Sequence, residues 1–158
     1  MAITHDSFTL KKIIAAPPAR VFAAWADPEQ KRQWFVEADS GDWQTLDYGM
    51  DFRVGGREHG RFVLLAGTVA QGEHVNETVF LDIVPDSRIV YAYTMAQNGR
   101  IHSASLATVC FTEAGTGTRV SYTEQGAFYD KGDGVNGRKG GWTSLLNALA
   151  KFLAKEAD

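Results

Sequence analysis

The stretch GWTSLLNALAKFL, residues 141–153, decides the fold of this chain. Its large apolar side chains recur every three or four residues, as one face of an amphipathic helix requires, and they are Trp142, Leu145, Leu146, Leu149, Phe152 and Leu153. Lys151 and Lys155 fall on the opposite, polar side. Burial contributes about 1.5–3 kcal/mol for each side chain of this size, so the apolar stripe must pack against a large apolar surface. The helix is therefore expected to close the hydrophobic core.

A predicted antiparallel sheet supplies that surface. Apolar and polar residues alternate with a period of two in segments separated by Gly, Asn, Asp and Pro, and the segments cover residues 7–14, 51–54, 61–70, 77–84, 88–95, 101–111 and 118–125. The pattern predicts an α+β fold for a single domain, residues 1–158. In it, a curved antiparallel sheet of about seven strands wraps around the long C-terminal helix.

Two short helices are predicted after the first strand. Pro18 suits the first turn of a helix whose apolar face carries Val21, Phe22 and Trp25. Asp27 then caps a second helix, with Pro28 in its first turn and Gln30 at the capping-box position, and this helix closes at Trp34 and Phe35.

The composition excludes several classes of function. The chain has 158 residues and a formal net charge of −3 without a run of lysines or arginines, so we expect no nucleic-acid partner. No window is apolar enough for a membrane span and no signal-peptide pattern opens the chain, which predicts a cytoplasmic protein. The histidines lack metal-ligand spacing and Cys110 stands alone, so we expect no metal and no other cofactor.

The decapeptide DFRVGGREHG, residues 51–60, has two possible interpretations. Its glycines and arginines suggest an anion-binding loop, but no Lys-Ser/Thr pair follows the glycines as in a P-loop. The alternation of Phe52 and Val54 with Asp51 and Arg53 favours a strand that bends at the glycine pair. On that interpretation the charges form a surface ion pair, either between Asp51 and Arg53 or across to a neighbouring strand.

Candidate site residues lie on the faces expected to meet the helix. The first half of the helix is rich in glycine, which leaves space beneath it for a cavity. Glu124 shares a strand face with Tyr122, so it is either a cavity acid or a carboxylate that is exposed or paired with an arginine. Tyr91, Tyr93 and Met95 form another same-face set, which lines a pocket if it points inward and forms a dimer or edge patch if it points outward. The side to which His102 points is undetermined.

The chain resembles a known superfamily in five of its segments. Taken in order along the chain, they are PPARVFAAWADPEQKRQWF, DFRVGG, FLDIVPDSRIVYAYTM, GTRVSYTEQGAF and GWTSLLNALAKFL. Together they are similar to the SRPBCC or START superfamily, and more narrowly to its branch of activator-of-heat-shock-chaperone-ATPase homologues, also called polyketide-cyclase-like. This resemblance implies a helix-grip fold with a cavity between the sheet and the C-terminal helix. It is less specific for function, because the fold hosts lipid carriers, hormone receptors, cyclases and co-chaperone domains.

Two main functions follow. The first is binding of a small apolar or aromatic ligand, with or without a cyclase-like reaction, and the candidate lining residues are Trp34, Phe35, Phe52, Val54, Tyr93, Glu124, Trp142, Leu145 and Leu146. Among them Glu124 is the predicted polar anchor, and no set of residues defines a reaction or decides whether the protein is an enzyme. The second is a protein-interaction module with a chaperone ATPase as its partner. A structural homodimer is a third possibility. A cavity bordered by Trp142 favours the first, whereas a filled core with an exposed apolar patch favours the second.

Overall fold

The computed structural model describes residues 2–37, 43–65 and 71–156. The elements in these residues are β1 (Ile3–Ile14), α1 (Pro18–Ala26), α2 (Pro28–Lys31), β2 (Trp43–Met50), β3 (Arg57–Leu64), β4 (Gly72–Val84), β5 (Arg88–Gln97), β6 (Arg100–Ala114), β7 (Gly117–Tyr129) and α3 (Gly134–Glu156). A π-helical turn, Arg32–Val36, continues directly from α2.

The strands form one curved antiparallel sheet of seven strands in the order β1-β7-β6-β5-β4-β3-β2. The first strand therefore pairs with the last, and α1 and α2 carry the chain from that edge to the opposite edge, where β2 lies. Helix α3 packs against the inner face of the sheet, with Trp142, Leu146, Leu149 and Leu153 buried and Leu145 half-buried. The predicted helix-grip α+β fold is confirmed.

The short helices form as their sequence signals indicate. The Asp27 carboxylate accepts a hydrogen bond from the Glu29 backbone N–H at 3.0 Å, which caps α2. The π-helical turn then directs Trp34 into the core, where its Nε1–H donates to the Ala24 carbonyl oxygen at 2.8 Å. Trp25 of α1 lies between Trp34 and Trp142, with ring centroids 4.9 and 5.9 Å away. These contacts join the first helices to α3.

The prediction of a strand at 51–54 is wrong, because residues 51–56 form the turn between β2 and β3. The turn folds onto β4: the Gly55 N–H donates to the Phe80 carbonyl at 2.8 Å, and the Phe80 N–H donates to the Gly56 carbonyl at 3.0 Å. Gly55 has a φ of 84°, in the region that favours glycine. The expected Asp51–Arg53 ion pair is confirmed at 2.7 Å, with both side chains exposed.

The other predicted strands are present with shifted ends. The segment predicted at 61–70 corresponds to β3, which starts at Arg57 and ends at Leu64, and residues 66–70 lie outside the described residues. An additional strand, β2, was not predicted. Only Tyr48 of β2 is buried, so this edge strand shows no alternation in the sequence.

Candidate functional site

A cavity of about 1190 Å³ lies between the inner face of the sheet and the first half of α3. Its apolar and aromatic wall consists of Phe35, Trp43, Phe62, Tyr91, Tyr93, Met95, Trp142 and Leu145. Polar side chains on its border include Glu58, His74, Asn76, Thr78, Gln97, Asn98, Arg100, His102, Lys131, Asp133 and Arg138. The set Tyr91, Tyr93 and Met95 thus points inward.

Glycines of α3 border this cavity, and Gly141 leaves part of it open. Gly137 and Gly141 both border the cavity, one helical turn apart. A Cβ at Gly141 would meet no other atom within 4 Å, so nothing but the absence of a side chain keeps that position empty. Gly140 also has open space around it, but it does not border the cavity.

Glu124 lies behind the cavity wall with no exposed surface and with both carboxylate oxygens engaged. Its Oε1 accepts hydrogen bonds from the Tyr93 and Tyr122 hydroxyls at 2.6 and 2.7 Å. Its Oε2 accepts from the Ser105 hydroxyl at 2.7 Å and from Arg138 Nη1 at 2.9 Å. Of the alternatives drawn from the sequence, the structure shows pairing with an arginine. A ligand would reach Glu124 only by displacing one of these donors.

Arg138 connects Glu124 to the loop before α3. Its Nε and Nη2 donate to the two Asp133 carboxylate oxygens at 2.8 and 3.0 Å, a two-bond fork. Nη2 also donates to the Ser103 hydroxyl at 2.7 Å, and Nη1 donates to the Tyr93 hydroxyl at 2.9 Å. Together with the bond to Glu124, these contacts use all five N–H groups of a guanidinium.

The buried polar cluster shifts the pKa values of its members. Burial by itself lowers the pKa of Arg138, but the neighbouring Tyr93, Asp133 and Glu124 outweigh it and raise the pKa above the ordinary value. Burial also raises the pKa of the Tyr93 hydroxyl, although Arg138 alone would lower it. The arginine is therefore charged and the tyrosine protonated at neutral pH.

A second buried ion pair has one of its members, Glu58, on the border of the cavity. Lys31 Nζ is 2.8 Å from Glu58 Oε1, and each side chain is only 2% exposed. The Tyr48 hydroxyl donates to Glu58 Oε2 at 2.5 Å, and burial raises the pKa of that hydroxyl. The lysine also lies over aromatic rings, with Nζ 4.7 Å from the centroid of Phe35.

His102 reaches the cavity through a β-bulge. Met95 of β5 pairs with Ser103 and Ala96 pairs with Ile101, so His102 is an extra residue in β6. Both His102 and Ser103 are consequently buried on the inner side, and His102 borders the cavity. Its Nδ1 has no hydrogen-bond partner, and the nearest carboxylate oxygen, Asp133 Oδ1, is 3.6 Å away. Burial lowers the pKa of His102, and Asp133 partly opposes this shift.

The structure separates the predicted lining residues into three groups. Phe35, Tyr93, Trp142 and Leu145 border the cavity, and Glu124 lies directly behind Tyr93 and Arg138. The remaining four lie elsewhere: Trp34 and Leu146 in the core, Phe52 packed against Phe22 and Phe80, and Val54 on the surface, where it is 57% exposed. Val54 points away because residues 51–56 form a turn. Contact of any of them with a ligand stays a prediction.

Sequence reasoning missed Arg138, the Lys31–Glu58 pair and the inward position of His102. A signal for Arg138 does exist, because it precedes Trp142 by four residues and so extends the buried stripe of α3 by one turn. The pairing partners of Lys31 and Arg138 are 27 and 14 residues away along the chain, and no local pattern connects them.

Two further observations bear on the site. Among residues 2–37, 43–65 and 71–156, no group of three or more His, Cys, Asp or Glu side chains is placed to hold a metal ion. In the same part of the chain, no helix has both the length and the apolar character needed to cross a membrane.

Solved structures share this architecture. The Mll3558 protein from Rhizobium loti is 43% identical, with a TM-score of 0.84, and the match covers 96% of this chain and 99% of that one. A protein from Rhizobium leguminosarum is 40% identical, also with a TM-score of 0.84, over 98% of this chain and 97% of that one. DynU16, a protein in the dynemicin biosynthetic locus, shares the fold at 17% identity and a TM-score of 0.66, over 94% of this chain and 47% of its own length.

A search of curated proteins found no match. Residues 15–154 match the model of a family described as Activator of Hsp90 ATPase homolog 1-like protein. This match spans most of the chain, from the end of β1 to the last turns of α3, and it agrees with the fold and with the Rhizobium relatives. The chain therefore belongs to the Activator of Hsp90 ATPase homolog 1-like family, within the SRPBCC superfamily.

Proposed function

We propose that this protein binds a small apolar or aromatic ligand between the sheet and α3. The observation that carries the proposal is the cavity of about 1190 Å³ bordered by Tyr91, Tyr93 and Trp142. Pockets for small molecules are mostly apolar, are lined by aromatic side chains and contain a few fixed polar groups. Gly141 supports the proposal, because an ordinary helix-forming residue at this position would fill part of the space.

The polar cluster behind the wall gives the cavity a rigid shape. Each hydrogen bond of Glu124 and Arg138 fixes one neighbouring side chain, including the Tyr93 ring that borders the cavity. A preorganised wall lowers the entropy cost of binding. The proposal concerns binding, since neither Glu124 nor Arg138 is available as a general acid or base without breaking a bond.

Two matched helix variants test the proposal. Gly141→Phe places a ring at the cavity border, whereas Gly140→Phe places the same ring on α3 at a position that does not border the cavity. Replacing glycine in a helix raises helix propensity by up to about 1 kcal/mol, so both variants are expected to fold. We expect Gly141→Phe to weaken binding of anilinonaphthalene sulfonate at least about tenfold, and Gly140→Phe to bind like the wild type.

Native mass spectrometry of freshly purified protein provides the second measurement. A co-purified small molecule that is present in the wild type and in Gly140→Phe, but absent from Gly141→Phe, supports the proposal. Equal probe affinity in all three proteins would overturn it.

The family description favours one alternative, a role as a protein-interaction module with a chaperone ATPase as partner. On this alternative the cavity has no ligand, and exposed apolar side chains such as Ile101 and Leu106 of β6 contact the partner. Stimulation of a chaperone ATPase by wild type and Gly141→Phe alike, together with no probe binding, would favour the alternative.

A further inference from the structure

We propose that His102 Nε2 accepts a hydrogen bond from a hydroxyl group of the bound ligand, so that the cavity selects hydroxylated aromatic molecules of the phenol type. This inference rests on the proposed ligand-binding function and names the ligand class for the same cavity. Three features of the structure carry it: the direction of the ring, the group that faces its other nitrogen, and the surrounding wall.

The loop before α3 covers one edge of the His102 ring. A Cβ built on Gly132 would lie only 2.6 Å from Nδ1, so the loop backbone is packed directly against that nitrogen. Nδ1 is buried, while the residue as a whole borders the cavity. Because the Nδ1 edge is closed, the ring presents its opposite edge, which carries Nε2, to the cavity.

Asp133 favours the proton on Nδ1 of the His102 ring. Its Oδ1 is the carboxylate oxygen nearest to Nδ1, at 3.6 Å, and Arg138 holds the carboxylate in place with two hydrogen bonds. A carboxylate beside one imidazole nitrogen favours the tautomer with the proton on that nitrogen. The other charged or titratable groups acting on the ring are Arg138, His74 and Arg100, and burial with these groups keeps the ring neutral. Nε2 is therefore left as a hydrogen-bond acceptor.

The wall around this acceptor suits an aromatic ring. Met95 is adjacent to the bulge on the neighbouring strand, and Tyr93 and Trp142 border the same cavity. An acceptor on the cavity border favours a ligand that brings a donor, and it disfavours an analogue that displaces water without replacing its hydrogen bond. A phenol meets both requirements, whereas the corresponding methyl ether has the same ring and no donor.

Three related probes separate these requirements: naphthalene, naphthol and the methyl ether of naphthol. We expect the wild type to bind all three, and to bind naphthol at least about tenfold more tightly than its ether, the effect of one good hydrogen bond. His102→Phe retains a ring but has no nitrogen. We therefore expect it to bind naphthol and the methyl ether with about equal affinity, while its affinity for naphthalene changes little. His5→Phe is the matched control, because His5 is exposed on β1 away from this cavity and should leave the preference intact.

A conservative variant distinguishes hydrogen bonding from a change of shape. His102→Gln keeps an acceptor at a similar distance from the backbone, so we expect it to retain a preference for naphthol that His102→Phe loses. Isothermal titration gives the affinity of each variant for the three probes. Thermal melting shows that each variant is folded at the temperature of the titration, so that a loss of binding is not a loss of folded protein.

The outcomes separate this inference from the function on which it rests. If the wild type binds none of the probes, the proposed function fails and the inference fails with it. If naphthalene binds but naphthol and its ether bind equally well, or if His102→Phe keeps the preference, the cavity binds ligands and the role of His102 is refuted.

Discussion

Arg138 of α3 donates a hydrogen bond to Glu124 of β7 at 2.9 Å, across the boundary between helix and sheet. Glu124 has no exposed surface and Arg138 is 5% exposed. The pair thus links the glycine-rich first turns of the helix to the strand that they cover. Where glycines open the cavity, this polar contact replaces the hydrophobic packing found further along α3.

Removal of Arg138 should therefore destabilise the fold strongly. Arg138→Met leaves the Glu124 carboxylate buried without a cation and releases Asp133 and Ser103 as well. Loss of one partner from a buried pair costs about 3–5 kcal/mol, and we expect a decrease of this size in the free energy of unfolding from urea titration.

An exposed pair gives the control. Arg53→Met breaks the Asp51–Arg53 pair, in which the arginine side chain is 69% exposed, and surface pairs of this kind contribute about 0–1 kcal/mol. A similar small decrease for Arg138→Met would contradict the structural role assigned to it.

The turn between β2 and β3 should depend on both of its glycines. Gly55→Ala places a side chain at a φ of 84°, which costs about 1–2 kcal/mol. Gly56→Ala should cost more, because its Cβ would collide with the backbone oxygen of Asp51. Gly140→Ala, in open helix, should stabilise the protein by up to about 1 kcal/mol. Thermal unfolding of the three variants checks this order, and unchanged stability of Gly56→Ala would argue against the close approach.

The apolar residues of α3 that border the cavity should contribute less to stability than those packed in the closed core. Leu149 has no exposed surface, so Leu149→Ala opens a closed void and should cost about 2–5 kcal/mol. Leu145→Ala only enlarges a cavity that already exists, and its cost should be clearly smaller. Equal losses in chemical denaturation would mean that Leu145 also packs in a filled core.

The architecture was predictable from the sequence because two periodicities define it. The stripe of α3 repeats at helical spacing and most of the sheet alternates with a period of two, and burial enforces both patterns. The strand predictions failed in segments where alternate residues are not buried. In β2 only Tyr48 is buried, and at residues 51–54 the alternation belongs to a turn that is held by Phe80.

The candidate site was less predictable because its polar members depend on long-range geometry. Tyr93 was predictable from the strand face that it shares with Tyr91, and Trp142 from the apolar stripe of α3. Both border the cavity. The side of His102 was undetermined from the sequence: regular alternation would place it on the outer face with Ala104 and Leu106, whereas the bulge adds a single residue and turns it inward. No composition or spacing rule indicates where such a bulge falls.

The buried imidazole should make stability depend on pH. Burial lowers the pKa of His102 in the folded protein, with Asp133 opposing and Arg138, His74 and Arg100 adding to the shift. As the pH falls below about 6.5, the unfolded chain therefore binds a proton before the folded protein does. Stability contributed by the neutral ring is complete above about pH 6.5 and decreases as the pH falls towards the lower folded pKa.

Replacement of the titrating group checks this dependence. His102→Gln removes it, so the free energy of unfolding of this variant should fall less steeply than that of the wild type between about pH 7 and about pH 5. His5→Gln is the control, because it replaces an exposed histidine on β1 by the same residue. Urea titrations of the three proteins across this range give the slopes. Parallel curves for the wild type and His102→Gln would show that the ring takes up its proton equally well in the folded and unfolded chain, which contradicts its burial beside Gly132.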